Sequence, residues 1–198
     1  MPRLTPLNRE DLPGLEDVFA RAEKGMGFVP TSFFMMARRP ETLRAFSRLT
    51  REVLGVPGLV PKDLKHLVAY VASRSAGCQY CSAHMGTAAA DLTDVPPEKV
   101  AAAFEYETSP LFSDAEKAAL NFAQAAAAQP NMVSQEDVDA LLLHFSEDQI
   151  VEMLSVVCMF GWLNRWNDTM ATALEERPKE FAQGNLTVSG WEIGVHDQ

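Results

Sequence analysis

The residues best suited to chemistry lie in one eight-residue stretch, Gly-Cys-Gln-Tyr-Cys-Ser-Ala-His at positions 77–84. It contains Cys78, Cys81 and His84, which are two of the three cysteines and one of the four histidines of the chain. Two thiols separated by two residues can close reversibly into a disulfide, and a nearby imidazole can accept a thiol proton. The stretch therefore indicates thiol-based redox chemistry.

The neighbouring sequence predicts how these side chains are positioned. Apolar residues between Leu64 and Ala72 recur at helical spacing, and Gly77 is a residue type that ends a helix in a left-handed conformation. A second helix then begins at Cys78. Residues three apart share a helical face, so we expect both thiols and the imidazole on one surface. The unpaired N–H groups of a first helical turn stabilise a thiolate, and this argument alone favours Cys78 as the nucleophile.

A C-x-x-C pair is also found as half of a zinc site or as two buried structural cysteines. The sequence has no second C-x-x-C, and Cys158 lies in the apolar run 156–160, where we expect it to be buried and unreactive. The alternative that stays open is a zinc site with two sulfur and two nitrogen ligands, from Cys78, Cys81, His84 and His66. A helix-borne pair is unlike the turn-borne pair of zinc knuckles, so redox use is favoured.

The motif extends into a longer pattern, which runs from Leu64 through Cys78, Tyr80, Cys81 and His84 to Ala90. This pattern resembles the alkylhydroperoxidase AhpD family within the carboxymuconolactone decarboxylase-like superfamily. Residues 160–169 resemble the longer, peroxidase-related members. The resemblance implies a thiol-dependent peroxidase or disulfide oxidoreductase that acts on a small hydroperoxide, is reset by an unknown thiol reductant, and needs no cofactor or metal. It also implies that Cys81 attacks, Cys78 resolves and His84 accepts a proton.

Two positions depart from the family pattern. Only two residues separate Cys81 from His84, where the family usually has three. The family also carries a glutamate twelve residues before the first cysteine, and this position is His66 here. We expect His66 to share a pocket with His84 and to weaken the proton relay, so that activity climbs between about pH 6 and 8, the range of ordinary histidine titration. Substitution His66→Glu is expected to raise the rate. Lactone decarboxylation, which the superfamily name suggests, is disfavoured by the presence of the thiol pair.

The periodicity of the whole chain predicts an all-α fold of about eight helices, with the C-x-x-C at the N-terminus of a central helix. We expect one domain over residues 1–198, made of N-terminal helices (1–60), core helices with the thiols (61–91), C-terminal helices (92–182) and an extended tail (183–198). Three capping boxes are predicted, at Ser113, Ser134 and Ser146. A long helix from about 148 to 174 is expected to be buried on most sides, and the tail to cover a neighbouring subunit.

Composition limits the classes of partner. The formal net charge of −10 argues against nucleic acid or an anionic membrane surface, since both require a basic patch. No signal peptide or membrane span is predicted, which indicates a cytoplasmic protein. The apolar stretches Phe33–Met36 and Met153–Trp166 predict a homo-oligomer, as a dimer, trimer or hexamer. A non-catalytic oligomeric scaffold remains an alternative.

Overall fold

The computed structural model describes residues 2–197, and these contain ten α-helices and no β-strand. The helices are α1 (Glu16–Met26), α2 (Thr31–Met36), α3 (Pro40–Thr50), α4 (Lys62–Ser75), α5 (Gln79–Thr93), α6 (Pro97–Ala101), α7 (Asp114–Ala127), α8 (Gln135–Leu142), α9 (Glu147–Met170) and α10 (Glu176–Asn185). The all-α prediction is confirmed. Helix α10 was not predicted from the periodicity.

Helices α4 and α5 form the hairpin that carries the thiols. Every side chain from Leu64 to Ser73 is buried, so α4 runs through the middle of the bundle and packs on α5, α7 and α9. Gly77 joins the two helices with φ +79°, the left-handed conformation predicted for it. The Cys78 N–H then bonds to the Ser73 carbonyl at 3.0 Å. The C-x-x-C is therefore fixed at the start of a helix within the core.

The three capping boxes all form where the sequence predicts them. Ser113, Ser134 and Ser146 each accept the N–H of the residue three positions later, and that residue's side chain accepts the serine N–H in return. These reciprocal bonds pair two N–H groups that a helix otherwise leaves open. Helices α7, α8 and α9 thus begin at positions set by local sequence.

Helix α9 is less enclosed than predicted. It packs on α4, α5 and α7 through one side only, and its opposite side carries exposed residues at helical spacing. This outer stripe consists of Val151, Leu154, Cys158 and Trp162. The expectation that α9 is buried on most sides is therefore wrong, and so is the expectation that Cys158 is buried.

The C-terminal segment folds back onto its own chain. The Leu174 N–H bonds to the His196 carbonyl at 3.1 Å, and the Trp191 indole N–H donates to the Gln79 carbonyl at 3.0 Å. Both Trp191 and His196 are buried. The expectation of an extended tail is wrong, because helical turns at Thr187–Ser189 and Gly194–His196 pack it on α10 and α5.

Among the described residues, none of the helices combines the length and the apolar character that crossing a membrane requires.

Candidate active site

Both thiols of the C-x-x-C lie at the buried N-terminus of α5. Cys78 is the N-cap residue, and its Sγ accepts the Cys81 N–H at 3.5 Å. The Sγ of Cys81 accepts a hydrogen bond from Asn167 Nδ2 at 3.3 Å, so α9 also contributes to the site. Both cysteines are at most 2% exposed.

The Cys78 thiol is held in its protonated form. The hydrogen bond with Cys81, burial and the charge of Cys81 all raise the pKa of Cys78. A raised pKa keeps the proton on Cys78, which opposes the argument from the helix terminus that Cys78 is the nucleophile.

His84 is paired with a carboxylate that sequence reasoning did not identify. Its Nε2 lies 2.6 Å from Glu175 Oε2, although the two residues are 91 positions apart. An ionised carboxylate only accepts hydrogen bonds, so Nε2 carries a proton. Nδ1 is the ring nitrogen that lies outside this pair. The Tyr80 hydroxyl donates to Glu175 Oε1 at 2.8 Å, and the Thr31 N–H donates to the same Oε1 atom.

Glu175 is held in its charged form inside the protein. Burial opposes the charge, but the adjacent His84 and the hydrogen bonds from His84, Thr31 and Tyr80 outweigh it and hold the pKa of Glu175 below its ordinary value. The carboxylate therefore orients the His84 imidazole. Glu175 directly precedes α10, the helix that the periodicity did not predict.

A second imidazole–carboxylate pair lies beside Cys78. His196 Nε2 is 3.2 Å from Asp168 Oδ1, and Nδ1 is 2.8 Å from the Thr172 carbonyl. One ligand atom from each of Cys78, Asp168 and His196 lies within 4.8 Å of the others. The Tyr80 ring contacts both histidines, with its centroid 4.4 Å from that of His84 and 5.7 Å from that of His196.

His66 lies on α4 and is buried. Its Nδ1 donates to the Lys62 carbonyl at 2.7 Å, and burial lowers its pKa more than this bond raises it. His66 is therefore neutral near pH 7. It shares a cavity with His84, as expected, but the carboxylate that pairs with His84 comes from residue 175.

The four residues of the zinc alternative do not converge within the described part of the chain. Nε2 of His84 is used by Glu175, and Nδ1 of His66 by the Lys62 carbonyl. The titratable side chains that do converge there belong to Cys78, Asp168 and His196. The zinc set deduced from the sequence is therefore not formed.

A cavity of about 470 Å³ opens beside His84. Its walls are largely apolar side chains from α1, from α2 and the link before it, and from the helical turn Arg51–Gly55 that follows α3. They include Val18, Ala22, Met26, Phe28, Phe33 and Leu54. Helix α5 contributes His84, Met85 and Ala88. These three residues continue the helical face on which Cys81 lies one turn earlier.

The sequence predicted the residues that are adjacent along the chain and missed those that are distant. Cys78, Cys81 and His84 share one helix and one window. Glu175 and His196 belong to no recognisable motif, and Asp168 lies only within the stretch 160–169 that resembles the peroxidase-related members. No pattern within a single sequence indicates that the C-terminal segment returns to the thiols.

Comparisons with known proteins agree with this architecture. Residues 40–125 match the model of the carboxymuconolactone decarboxylase family. The debrominase Bmp8, solved as a cysteine-to-alanine variant in complex with 2,3,4-tribromopyrrole, is 35% identical, with a TM-score of 0.85 over 92% of this chain and 96% of Bmp8. An AhpD-core, peroxidase-related protein from Ralstonia eutropha JMP134 is 22% identical, with a TM-score of 0.80 over 93% of this chain and 96% of that protein.

A curated relative matches over a shorter stretch. The uncharacterized protein YnjA from Escherichia coli (strain K12) is 29% identical over 93 residues, which are 47% of this chain. The match spans 50% of the length of YnjA. With the helical architecture, the C-x-x-C and the full-length similarity to Bmp8, these findings place the chain in a known group. It belongs to the carboxymuconolactone decarboxylase-like superfamily, and its fold is the one seen in AhpD-core proteins.

Proposed function

We propose that this protein is a dithiol oxidoreductase in which Cys78 and Cys81 pass two electrons to an electrophilic atom of a small apolar molecule. The observation that carries the proposal is the position of the buried thiol pair. Cys81 lies one helical turn before His84, which lines an apolar cavity and is paired with the Glu175 carboxylate. The thiols supply the electrons, and His84, oriented by Glu175, transfers a proton at the cavity.

The substrate class that we favour is a halogenated aromatic ring. The similarity to the debrominase Bmp8 extends over nearly all of both chains, and an apolar cavity of about 470 Å³ suits a flat, weakly polar molecule. In this reaction the Cys81 thiolate attacks bromine, the carbon–bromine bond breaks, and the ring carbon keeps the electron pair and takes a proton from His84. Cys78 then attacks Cys81, bromide leaves, and a disulfide forms. The sum is Ar–Br plus two thiols giving Ar–H, a disulfide and HBr.

Hydroperoxide reduction is the second candidate, and the C-x-x-C in a fold shared with an AhpD-core, peroxidase-related protein favours it. Here the Cys81 thiolate attacks the terminal peroxide oxygen, the O–O bond breaks, and the alcohol leaves with a proton. The resulting sulfenic acid reacts with Cys78 to give the same disulfide and water. Both candidates therefore consume the same two thiols and need an external thiol reductant for the next cycle.

The two candidates are separated by offering both substrates to one protein. Fully reduced Cys158→Ser protein would be mixed without oxygen with pyrroles carrying four, three or two bromines, and separately with cumene hydroperoxide. We expect one debrominated pyrrole and one bromide for each pair of thiols lost, and no reaction in the Cys81→Ser variant. Hydroperoxide consumption without debromination would assign the second candidate. If neither substrate consumes thiols faster than it does in the Cys81→Ser variant, the dithiol mechanism is rejected.

A further inference from the structure

The cluster formed by Cys78, Asp168 and His196 has no role in the chemistry described above for His84. Its thiol comes from the start of α5, its carboxylate from the end of α9 and its imidazole from the C-terminal helical turn. His196 is 2% exposed. Both of its ring nitrogens have hydrogen-bond partners, and these contacts hold the imidazole in its buried position.

The hydrogen bonds of His196 determine which nitrogen faces the thiol. The Thr172 carbonyl only accepts, so Nδ1 carries a proton and donates to it at 2.8 Å. Nε2 is then the nitrogen that faces Asp168 and Cys78. A carboxylate 3.2 Å away favours a proton on Nε2 as well, since a bare nitrogen lone pair would oppose the carboxylate charge.

The protonation of His196 follows from the same contacts. Burial opposes a charge on the ring, but the hydrogen bonds to Asp168, Cys78 and the Thr172 carbonyl outweigh it and raise the pKa of His196 to about 9. At neutral pH the ring is therefore an imidazolium. The titratable groups that face Cys78 are this imidazolium, the Asp168 carboxylate and the neighbouring Cys81.

We propose that His196, positioned by Asp168, is the cationic partner of Cys78 and stabilises the Cys78 thiolate in the step that closes the disulfide. This role rests on the proposed dithiol mechanism. While Cys81 is a free thiol or thiolate, its contact holds the proton on Cys78. After Cys81 has reacted, that contact no longer opposes ionisation, and the imidazolium remains as the counter-ion. The second thiol thus becomes nucleophilic after the first has been used.

The step balances with either substrate. With a bromoarene, Cys78 loses its proton to solvent, its sulfur forms the S–S bond with Cys81, and the S–Br bond breaks with its electron pair on bromide. With a hydroperoxide, the S–O bond of the sulfenic acid breaks, and the departing hydroxide takes the proton as water. His196 keeps its own proton in both cases. The residue is therefore a stabiliser of charge on a reacting atom, and Asp168 is a positioning residue.

The proposal is tested on the thiol itself, without any substrate. In a Cys81→Ser, Cys158→Ser background, the absorbance of the Cys78 thiolate at 240 nm would be followed against pH. We expect His196→Gln to raise the Cys78 midpoint by about one pH unit or more, which means a roughly tenfold smaller thiolate fraction at a given pH below it. Asp168→Asn should shift the midpoint in the same direction by less. The exposed His144→Gln serves as the matched control and should leave it unchanged.

A second readout separates this role from a structural one. In single turnover with the intact thiol pair, His196→Gln should form the first product within about twofold of the parent rate and close the disulfide about tenfold more slowly. Equal midpoints in His196→Gln and its parent would overturn the proposal even if the protein turns over. A stoichiometric metal ion whose removal moves the midpoint would also overturn it. If the wild-type protein turns over neither substrate but His196→Gln still raises the Cys78 midpoint, the proposed function is refuted and the thiolate–imidazolium pair is established.

Discussion

Glu175 is the residue whose charge organises the cavity side of the site. It accepts hydrogen bonds from His84, Tyr80 and Thr31, and its lowered pKa keeps it ionised at neutral pH. We expect Glu175→Gln to lower kcat/KM by about 10- to 100-fold, the usual scale for disturbing one acid–base partner. Steady-state assays with the preferred substrate measure this. The exposed neighbour Glu176→Gln is the control and should behave as the parent.

The same substitution has a stability signature with a defined sign. A carboxyl whose folded pKa lies below its unfolded value stabilises the protein above the unfolded pKa and loses that contribution as pH falls through the folded value. The stability deficit of Glu175→Gln should therefore be constant above about pH 5 and shrink in more acidic solution. Urea unfolding at several pH values would show it. A deficit that grows on acidification would mean that Glu175 is protonated in the folded state.

Only site residues that are close together in the sequence could be predicted. Cys78, Cys81 and His84 were predicted because they lie close together in the sequence, at the start of one helix. Glu175 was not, because only the fold brings residue 175 to residue 84. The expectation that His66→Glu improves the relay assumed that His84 lacks a carboxylate, and Glu175 supplies one. That substitution would add a second carboxylate in a site where burial disfavours charge.

At the scale of elements, Gly77 fixes the angle at which the thiol helix leaves α4. Its φ of +79° is one that residues with a Cβ rarely adopt, and an added methyl would meet no atom within 4 Å. Gly77→Ala therefore tests backbone conformation without a clash. We expect a loss of about 1–2 kcal/mol in the free energy of unfolding, the cost of a left-handed residue with a Cβ. Chemical denaturation measures the change.

Gly184 gives the matched comparison. It lies within α10, has no left-handed φ and also has open space at its Cβ position. Gly184→Ala is expected to stabilise the protein by up to about 1 kcal/mol, because alanine loses less backbone entropy in a helix. A similar loss for both variants would show that the methyl group, rather than the backbone conformation at Gly77, causes the effect.

Element boundaries were predictable where the signal is local. The capping boxes at Ser113, Ser134 and Ser146 and the left-handed Gly77 depend on residues three or fewer positions apart, and each was predicted. The start of α10 has no side-chain cap of that kind. The packing of the tail depends on contacts such as that of Trp191 with Gln79, which no local pattern encodes.

At the scale of the whole molecule, the outer stripe of α9 is the surface that matters for assembly. Val151, Leu154 and Trp162 are exposed together on one face, and Trp162 is further fixed by stacking on Phe46 at 5.0 Å. Apolar residues at this spacing suit packing against the same face of a second copy. We expect a homo-oligomer, with a mass in light scattering that is a multiple of 21.8 kDa.

A charge within the stripe tests which surface is used. Leu154→Glu should lower the mass towards that of one chain, whereas Val188→Glu, at a more exposed position outside the stripe, should not. A wild-type mass of 21.8 kDa at micromolar concentration would contradict the oligomer. The apolar character of the long helix was evident in the sequence, but which of its sides faces outward was not.

The most direct test of the dithiol mechanism is a map of the cysteines after one turnover. Reduced wild-type protein would be mixed with one equivalent of the preferred substrate, quenched with an alkylating agent in denaturant and analysed by peptide mass spectrometry. The mechanism predicts one disulfide between Cys78 and Cys81 for each product formed, with Cys158 recovered in alkylated form. Product formation with all three thiols still alkylated, or a disulfide that includes Cys158, would contradict it.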